Sequence, residues 1–166
     1  MVRKINDFYP TPHSIIKAML NHWMPVHTKI WEPCSGDGRL ANAIKNKMCY
    51  SVYSSDISTG NNFFEYNKAQ CFVIITNPPF KYIRQFIDHA FDIGVREMML
   101  VCPERLWACK KGQEQFNRHR PSRWANLNWR EDYLGKGGSP DRALAVAIWN
   151  SPHSEECKYE IWDKVT

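Results

Sequence analysis

The sequence predicts an α/β domain built on a mostly parallel sheet with helices on both faces. Short apolar runs at residues 29–33, 71–76, 97–102 and 143–149 are rich in β-branched and aromatic side chains, as buried strands are. Stretches with apolar residues at helical spacing separate several of these runs. Glu32, Asp56 and Asn77 each fall at the end of an expected strand, the rim where open α/β sheets bind ligands.

Taken in order, Thr11-Pro12 ahead of Ile15, Ile16, Met19 and Leu20 reads as an N-cap and first-turn proline opening an amphipathic helix that Pro25 ends. Lys29–Pro33 is a first strand, and Cys34–Gly38 a tight turn. Leu40, Ala43 and Ile44 mark one face of the next helix. Tyr50–Asp56 alternates like a strand and ends on an acid. Residues 57–70 read as a polar loop interrupted by Phe63 and Phe64. Cys71–Thr76 is a buried strand that two prolines stop. Ile83, Phe86, Ile87, Ala90 and Phe91 form a helical stripe. Glu97–Cys102 is another buried strand, after which Pro103 is expected to open a basic helix. Gly135–Pro140 is a turn, and Ala143–Trp149 a last apolar strand.

A chain of 166 residues is expected to be one domain, and at that size about 70% of the unfolded surface is buried. Hydrophobic content of 43% and charged content of 23% fit a globular protein rather than a disordered one. No apolar run reaches the ~20 residues of a membrane span. The N-terminus lacks the apolar core and cleavage site of a signal peptide. The six cysteines form no Cys-x-x-Cys pair and are expected to be buried free thiols in a reducing cytoplasm. The histidines show no zinc spacing, so no metal is expected. The formal charge is +5, and residues 103–142 carry nine cationic against five acidic side chains, most of the surplus. That bias suits a nucleic-acid partner without requiring one.

The motifs narrow the chemistry. Asn77-Pro78-Pro79-Phe80 follows directly on a strand. A residue before proline is held extended, and neither proline has an N–H. The result is a stiff corner presenting a carboxamide, a backbone carbonyl and an aromatic ring, groups that suit a planar substrate bearing an amino group. Glu32-Pro-Cys-Ser-Gly-Asp-Gly38 lies between a strand and a helix, where glycines allow close backbone approach to a cofactor. It lacks the full Gly-x-Gly-x-x-Gly pattern, so an ordinary turn is the competing reading. Asp56, 18 residues beyond Gly38, can accept hydrogen bonds from ribose hydroxyls. The order of the three features carries more weight than any one of them.

With these residues in view, the chain resembles S-adenosylmethionine-dependent methyltransferases of the amino-methylating type, above all DNA adenine-N6 methyltransferases. Asn-Pro-Pro-Phe is similar to their catalytic motif, and Glu-Pro-Cys-Ser-Gly-Asp-Gly to their Glu-Pro-x-x-Gly-x-Gly cofactor loop. Phe8-Tyr-Pro-Thr-Pro12 resembles the segment that closes over the methionine end of the cofactor. Asn61-Asn-Phe-Phe64 stands where an Asp-Phe pair is usual. The motif order is gamma-like, and the resemblance covers roughly residues 7–102 and the last strand. It implies a Rossmann-like methyltransferase domain, with an antiparallel strand at one edge of the sheet, and S-adenosylmethionine as cofactor. Compact enzymes of this kind resemble phage or mobile-element products.

The resemblance implies roles residue by residue. Residues 1–27 would close over the cofactor, with Tyr9, Thr11 and Pro12 at the methionine. Glu32, Cys34, Ser35, Gly36 and Gly38 would form the cofactor floor. Asp56 and Ile57 would hold ribose and adenine, with Asn62 and Phe63 against the cofactor base; Asn62 replaces the usual acid. Asn77 and the Pro78 carbonyl would accept from the target amino group, beside the cofactor, while Pro79 stiffens the corner and Phe80 stacks on the extruded base. The basic segment would then face DNA through Lys110, Lys111, Arg118, Arg120 and Arg123, with Trp107 and Trp124 as candidate contacts. The chain length leaves no room for the separate target-recognition domain of larger members, so target choice is expected to fall to 103–142, to fall to a partner subunit, or to be loose. Methylation of an RNA amino group or a protein glutamine, and an inactive nucleic-acid-binding copy of the fold, are the alternatives.

Overall fold

Side chains alternate across a strand, and strands apolar on both faces must be covered on both. The computed structural model describes residues 10–131 and 143–165. Within them seven strands form one sheet: β1 (Lys29–Glu32), β2 (Ser51–Ser54), β3 (Val73–Thr76), β4 (Glu97–Pro103), β5 (Arg123–Leu127), β6 (Leu144–Trp149) and β7 (Lys158–Trp162). Their order is β2-β1-β3-β4-β6-β5-β7. The sheet is mostly parallel; β6 runs against its neighbours β4 and β5, with β5 and the parallel β7 on its outer side. The architecture is the Rossmann-like α/β class that the sequence predicts.

Two layers of helix cover this sheet. Ile30, Val73, Ile75, Met99 and Val101 pack with the apolar stripes of α1 (His13–His22) and α2 (Arg39–Met48). Trp31, Ile74, Met98, Leu100 and Trp149 alternate to the other face, against Phe86, Ile87 and Ala90 of α3 (Ile83–Asp92). The fourth helix, α4 (Lys110–Arg118), sits beside α3, where the Gln115 side-chain amide donates to the Arg84 carbonyl at 2.7 Å. Gly94, at φ 95°, turns the chain after α3 in a conformation that side-chain-bearing residues rarely adopt. No helix among the described residues is long and apolar enough to cross a membrane.

Several expectations need correction. Helix α1 starts at His13 with Pro12 at the cap, and no side-chain cap bond from Thr11 forms. Pro103 ends β4 instead of opening a helix, and turns carry the chain to α4 at Lys110. The loop at 57–70 holds two single-turn helices, Ile57–Thr59 and Phe63–Glu65. Strands β5 and β7 have no counterpart in the sequence reading. Of the six free cysteines only Cys102 is fully buried, while Cys49 and Cys109 are exposed. Tyr9 and the Gly135–Pro140 turn lie outside the described residues.

Arg123, which the sequence offers as a phosphate contact, instead ties the sheet edge to α1. Its guanidinium donates to both Glu160 carboxylate oxygens, at 3.1 and 2.6 Å, and to the His22 carbonyl at 2.7 Å. The Arg123 hydrogen bonds, aided by those from the Trp162 indole and Lys158, hold the Glu160 carboxyl down at about 2. Because the folded value lies below the unfolded one, this stabilisation is full above pH 4.5 and is lost as pH falls toward about 2. Arg123→Ala is expected to cost about 2–3 kcal/mol at neutral pH, by leaving the half-buried Glu160 carboxylate to Trp162 and Lys158 alone and removing the donor from the His22 carbonyl. Urea midpoints at pH 7 and pH 3 check this: the deficit at pH 7 should shrink at pH 3.

Candidate active site

From β1 the chain steps to β2 on one side, then returns to β3 on the other, so the strand order reverses between β1 and β3. The crevice beyond the carboxyl ends at such a reversal is where open α/β sheets hold ligands. Glu32 ends β1, and Thr76 ends β3 with Asn77 next. The pairing of Ile30 with Val73 and Trp31 with Ile74 runs the two strand ends side by side.

The loop after β1 is bent by Gly36 at φ 51° and Gly38 at φ 78°. A Cβ on Gly38 would meet only the Asn42 amide, at 3.9 Å, so the backbone angle rather than crowding requires glycine there. Gly38 caps α2, aiming the helix N-terminus toward the crevice. The loop is stitched to the end of β2: Ser35 N–H donates to the Ser55 carbonyl at 3.1 Å and Gly36 N–H to Asp56 Oδ2 at 2.8 Å. The other Asp56 oxygen accepts from Ser58 N–H at 2.9 Å and from its hydroxyl at 2.6 Å. Burial works against the Asp56 charge, but the bonds from Ser58 and Gly36 win, and its carboxyl lies below the ordinary range.

Buried oxygens without partners are rare and expensive, so several of them at one place call for a functional explanation. Besides Gln115 Oε1 on α4, the described residues hold three buried side-chain oxygens with no hydrogen-bond partner: Glu32 Oε2, Thr76 Oγ1 and Asn77 Oδ1. All three stand at the β1/β3 reversal. Glu32 is only 2% exposed. Loss of solvent raises its carboxyl from 4.5 to about 8, against the opposing pull of the Ala41 N–H, with Asp37 and Asp56 adding to the rise. Burial likewise pushes the Cys34 thiol, beside the Thr76 hydroxyl, up to about 12, which keeps it neutral and unreactive.

The raised Glu32 value has a consequence for stability. Its folded pKa exceeds the unfolded one, so the folded chain holds a proton that the unfolded chain releases. Ligand-free stability should therefore fall as pH rises between 4.5 and about 8. The slope reaches at most about 1.4 kcal/mol per pH unit. Glu32→Gln should flatten that limb of the denaturation profile; an unchanged slope would assign it to other groups.

No protein-family model matches the chain, and no curated protein matches it in sequence. Solved structures match it in fold. A putative class I S-adenosylmethionine-dependent methyltransferase from Listeria monocytogenes superposes with a TM-score of 0.65 at 12% identity, over 95% of this chain and 67% of that one. The methyltransferase subunit of a type I restriction-modification system from Streptococcus thermophilus gives a TM-score of 0.60 at 12% identity, over 86% of this chain. The 23S rRNA methyltransferase ErmE gives 0.60 at 11% identity, over 88% of this chain and 70% of that one. The fold is that of class I methyltransferases. At these identities the likeness concerns architecture alone, and the chain spans only 44% of the length of the Streptococcus subunit.

On this methyltransferase fold the motif residues separate into two groups. Glu32, Cys34, Ser35, Gly36, Gly38, Asp56, Ile57 and Asn77 to Phe80 share the rim at the reversal. Pro78 is buried, and Phe80 is half-buried against the α1/α2 core in a single 3-10 turn (Phe80–Tyr82). Ile57 is 64% exposed beside Asp56. Phe63 does not present its ring to the crevice: it is 4% exposed and stacks on Phe86 at 4.0 Å, propping the wall from behind. Asn62 caps the turn that holds it, accepting from Phe64 N–H at 3.2 Å. Thr11 is buried ahead of α1. Thr76 and Ser55 are residues that sequence reasoning missed. Ser55 accepts the Trp31 indole N–H at 2.9 Å and so anchors the β2 end, but nothing in its local pattern signals this.

The basic residues also divide. Lys110 and Lys111 open α4 just after β4 ends, on the site rim. Arg118 ends α4, and β5 then starts level with Met99, so Arg118, Arg120 and Arg123 lie toward the opposite ends of the strands. Arg118 is paired with Asp88 at 3.0 Å, and Arg120 donates to the Glu155 carbonyl. Trp124 is buried, and Trp107 packs on it at 5.6 Å, so both serve as core rather than contacts.

Proposed function

We propose that the chain is an S-adenosylmethionine-dependent methyltransferase that acts on the exocyclic N6 amino group of adenine in DNA. The observation that carries this reading is the trio of buried, unpartnered oxygens on Glu32, Thr76 and Asn77, set beside a glycine-bent loop and an acid-ended second strand.

These residues fit the cofactor in chemical kind. Glu32 offers a buried carboxyl to its ammonium, the Gly36–Gly38 backbone allows close approach, Asp56 accepts from ribose hydroxyls, and exposed Ile57 offers apolar surface to the adenine. Thr11, Pro12 and Tyr9 are assigned to the methionine end, and Asn62 to the edge of the base pocket. When bound, the cofactor supplies the methyl group, which leaves sulfur for the amino nitrogen while that nitrogen gives up one proton to solvent. The chain's own task is to make the nitrogen a nucleophile. An aromatic amino group is a poor one, because its lone pair is delocalised into the ring. Asn77 Oδ1 and the Pro78 carbonyl accept its two hydrogens, which favours a more tetrahedral nitrogen with its lone pair directed outward. Pro79 fixes the corner, and the open part of Phe80 stacks on the base. A base inside a duplex cannot reach this corner and must be flipped out, at about a few kcal/mol. Stacking on Phe80 offsets about 1–3 kcal/mol of that cost.

The test is nucleoside analysis by mass spectrometry after incubation with the cofactor and duplex DNA, single-stranded DNA, RNA or protein in separate reactions. N6-methyldeoxyadenosine is the expected product. N6-methyladenosine in RNA alone would move the substrate to RNA, methylated glutamine would move it to protein, and binding of nucleic acid without transfer would favour an inactive copy of the fold.

A further inference from the structure

Two exposed aromatic rings and four exposed cations line the site rim outside the catalytic corner. Phe64 and Tyr82 are exposed large aromatics that meet edge to face, with centroids 6.4 Å apart. Lys81, between Phe80 and Tyr82, holds its ammonium 5.0 Å from the Tyr82 ring. One turn further on, the Arg84 guanidinium donates to the Leu106 carbonyl at 2.6 Å and to Cys109 Sγ at 3.1 Å. Those bonds bring the start of α3 against the loop that carries Arg105 and against the start of α4, where Lys110 and Lys111 stand. Lys81, Arg105, Lys110 and Lys111 are exposed and make no ion pair with the described acids. By contrast, Arg118 and Arg123 are committed to Asp88 and Glu160.

Cations free of carboxylate partners beside exposed aromatic rings are the surface chemistry of single-strand binding: phosphates meet the cations, and bases stack on the rings. We propose that a strip across the first turn of α3 holds an unpaired stretch of the substrate strand. Bases next to the flipped one stack singly on Tyr82 or on Phe64, whose planes lie 74° apart, and the phosphodiester backbone runs over Lys81, Arg105, Lys110 and Lys111. This rests on the nucleic-acid reading above and assigns the surface that reading needs. Arg84 is a positioning residue that fixes the two halves of the strip.

The experiment is fluorescence anisotropy with labelled single-stranded DNA, single-stranded RNA and duplex DNA over a series of KCl concentrations. It uses the wild type, the Lys81→Gln/Arg105→Gln/Lys110→Gln/Lys111→Gln variant, a Phe64→Ala/Tyr82→Ala variant and an Arg118→Gln/Arg120→Gln control. The quadruple variant should lose about 3 units of the log K against log salt slope on single strands, at ~0.7 per phosphate released. The aromatic variant should weaken binding about 10–100-fold with the slope unchanged. The control should match the wild type, and cofactor affinity should be equal in all four, showing intact folds. Wild-type binding that neither rim variant alters, or that the control alters as much, overturns the strip while leaving the nucleic-acid reading in place. A wild type that binds cofactor but no nucleic acid overturns both.

Discussion

Asn77→Ala is expected to lower methyl transfer about 100–1,000-fold, the range found when one preorganised polar group is removed from a charge-developing centre. Cofactor affinity should stay within about threefold, because the bonds assigned to the methionine and ribose lie on Glu32 and Asp56. The size of the effect follows from the state of Asn77 Oδ1, which is buried and has no partner among the described residues. An oxygen kept dry and idle has already been desolvated, so an arriving amino group meets it at full strength. Its removal should depress kcat and kcat/KM together, since the acceptor acts on the nitrogen as it becomes tetrahedral. Asn77→Asp retains an acceptor at the same place and should keep more activity than the alanine variant. Single-turnover transfer with saturating cofactor measures this directly. Full turnover in Asn77→Ala would remove Asn77 from the chemistry and leave its orphaned oxygen without a role.

The parts of this fold that could be read in advance are those where one physical rule dominates. The runs at β3, β4 and β6 are apolar throughout because both their faces are covered, so periodicity alone marks them. The diproline corner and the glycine loop were legible because each residue type there has a backbone reason. β5 and β7 were not legible. Arg-Trp-Ala-Asn-Leu and Lys-Tyr-Glu-Ile-Trp mix charge with bulk, and they stand as strands through their partner in the sheet and through the Arg123–Glu160 pair. The same pair explains the misplaced phosphate track. Arg118, Arg120 and Arg123 look like a cationic run in one dimension, but the turn between α4 and β5 carries them to the far rim, where carboxylates and carbonyls meet them. Phe63 fails for a related reason: two adjacent phenylalanines invite one role, yet one ring enters the core and Phe64 remains outside.

Asp56→Ala is expected to weaken cofactor binding about 10–100-fold, with nucleic-acid affinity changed far less. A hydrogen bond to a charged group contributes about 1.5–3 kcal/mol. A carboxylate has about four acceptor positions. Gly36 N–H, Ser58 N–H and the Ser58 hydroxyl use three of them here. A ribose diol presents two hydroxyls, so one bond must yield. The two backbone bonds hold the loop and the Ile57–Thr59 turn in place, whereas the Ser58 hydroxyl needs only to rotate. Ser58→Ala should therefore leave cofactor affinity unchanged or tighter, while Asp56→Ala loses both the diol contact and the tie to Gly36. Asp56→Asn separates the two losses: it can retain one acceptor for Gly36 N–H but has no charge, and should fall between wild type and alanine. Calorimetric titration of the cofactor into the three variants is the measurement. Weakening by Ser58→Ala as severe as that by Asp56→Ala would mean that the turn, rather than the carboxylate, recognises the sugar.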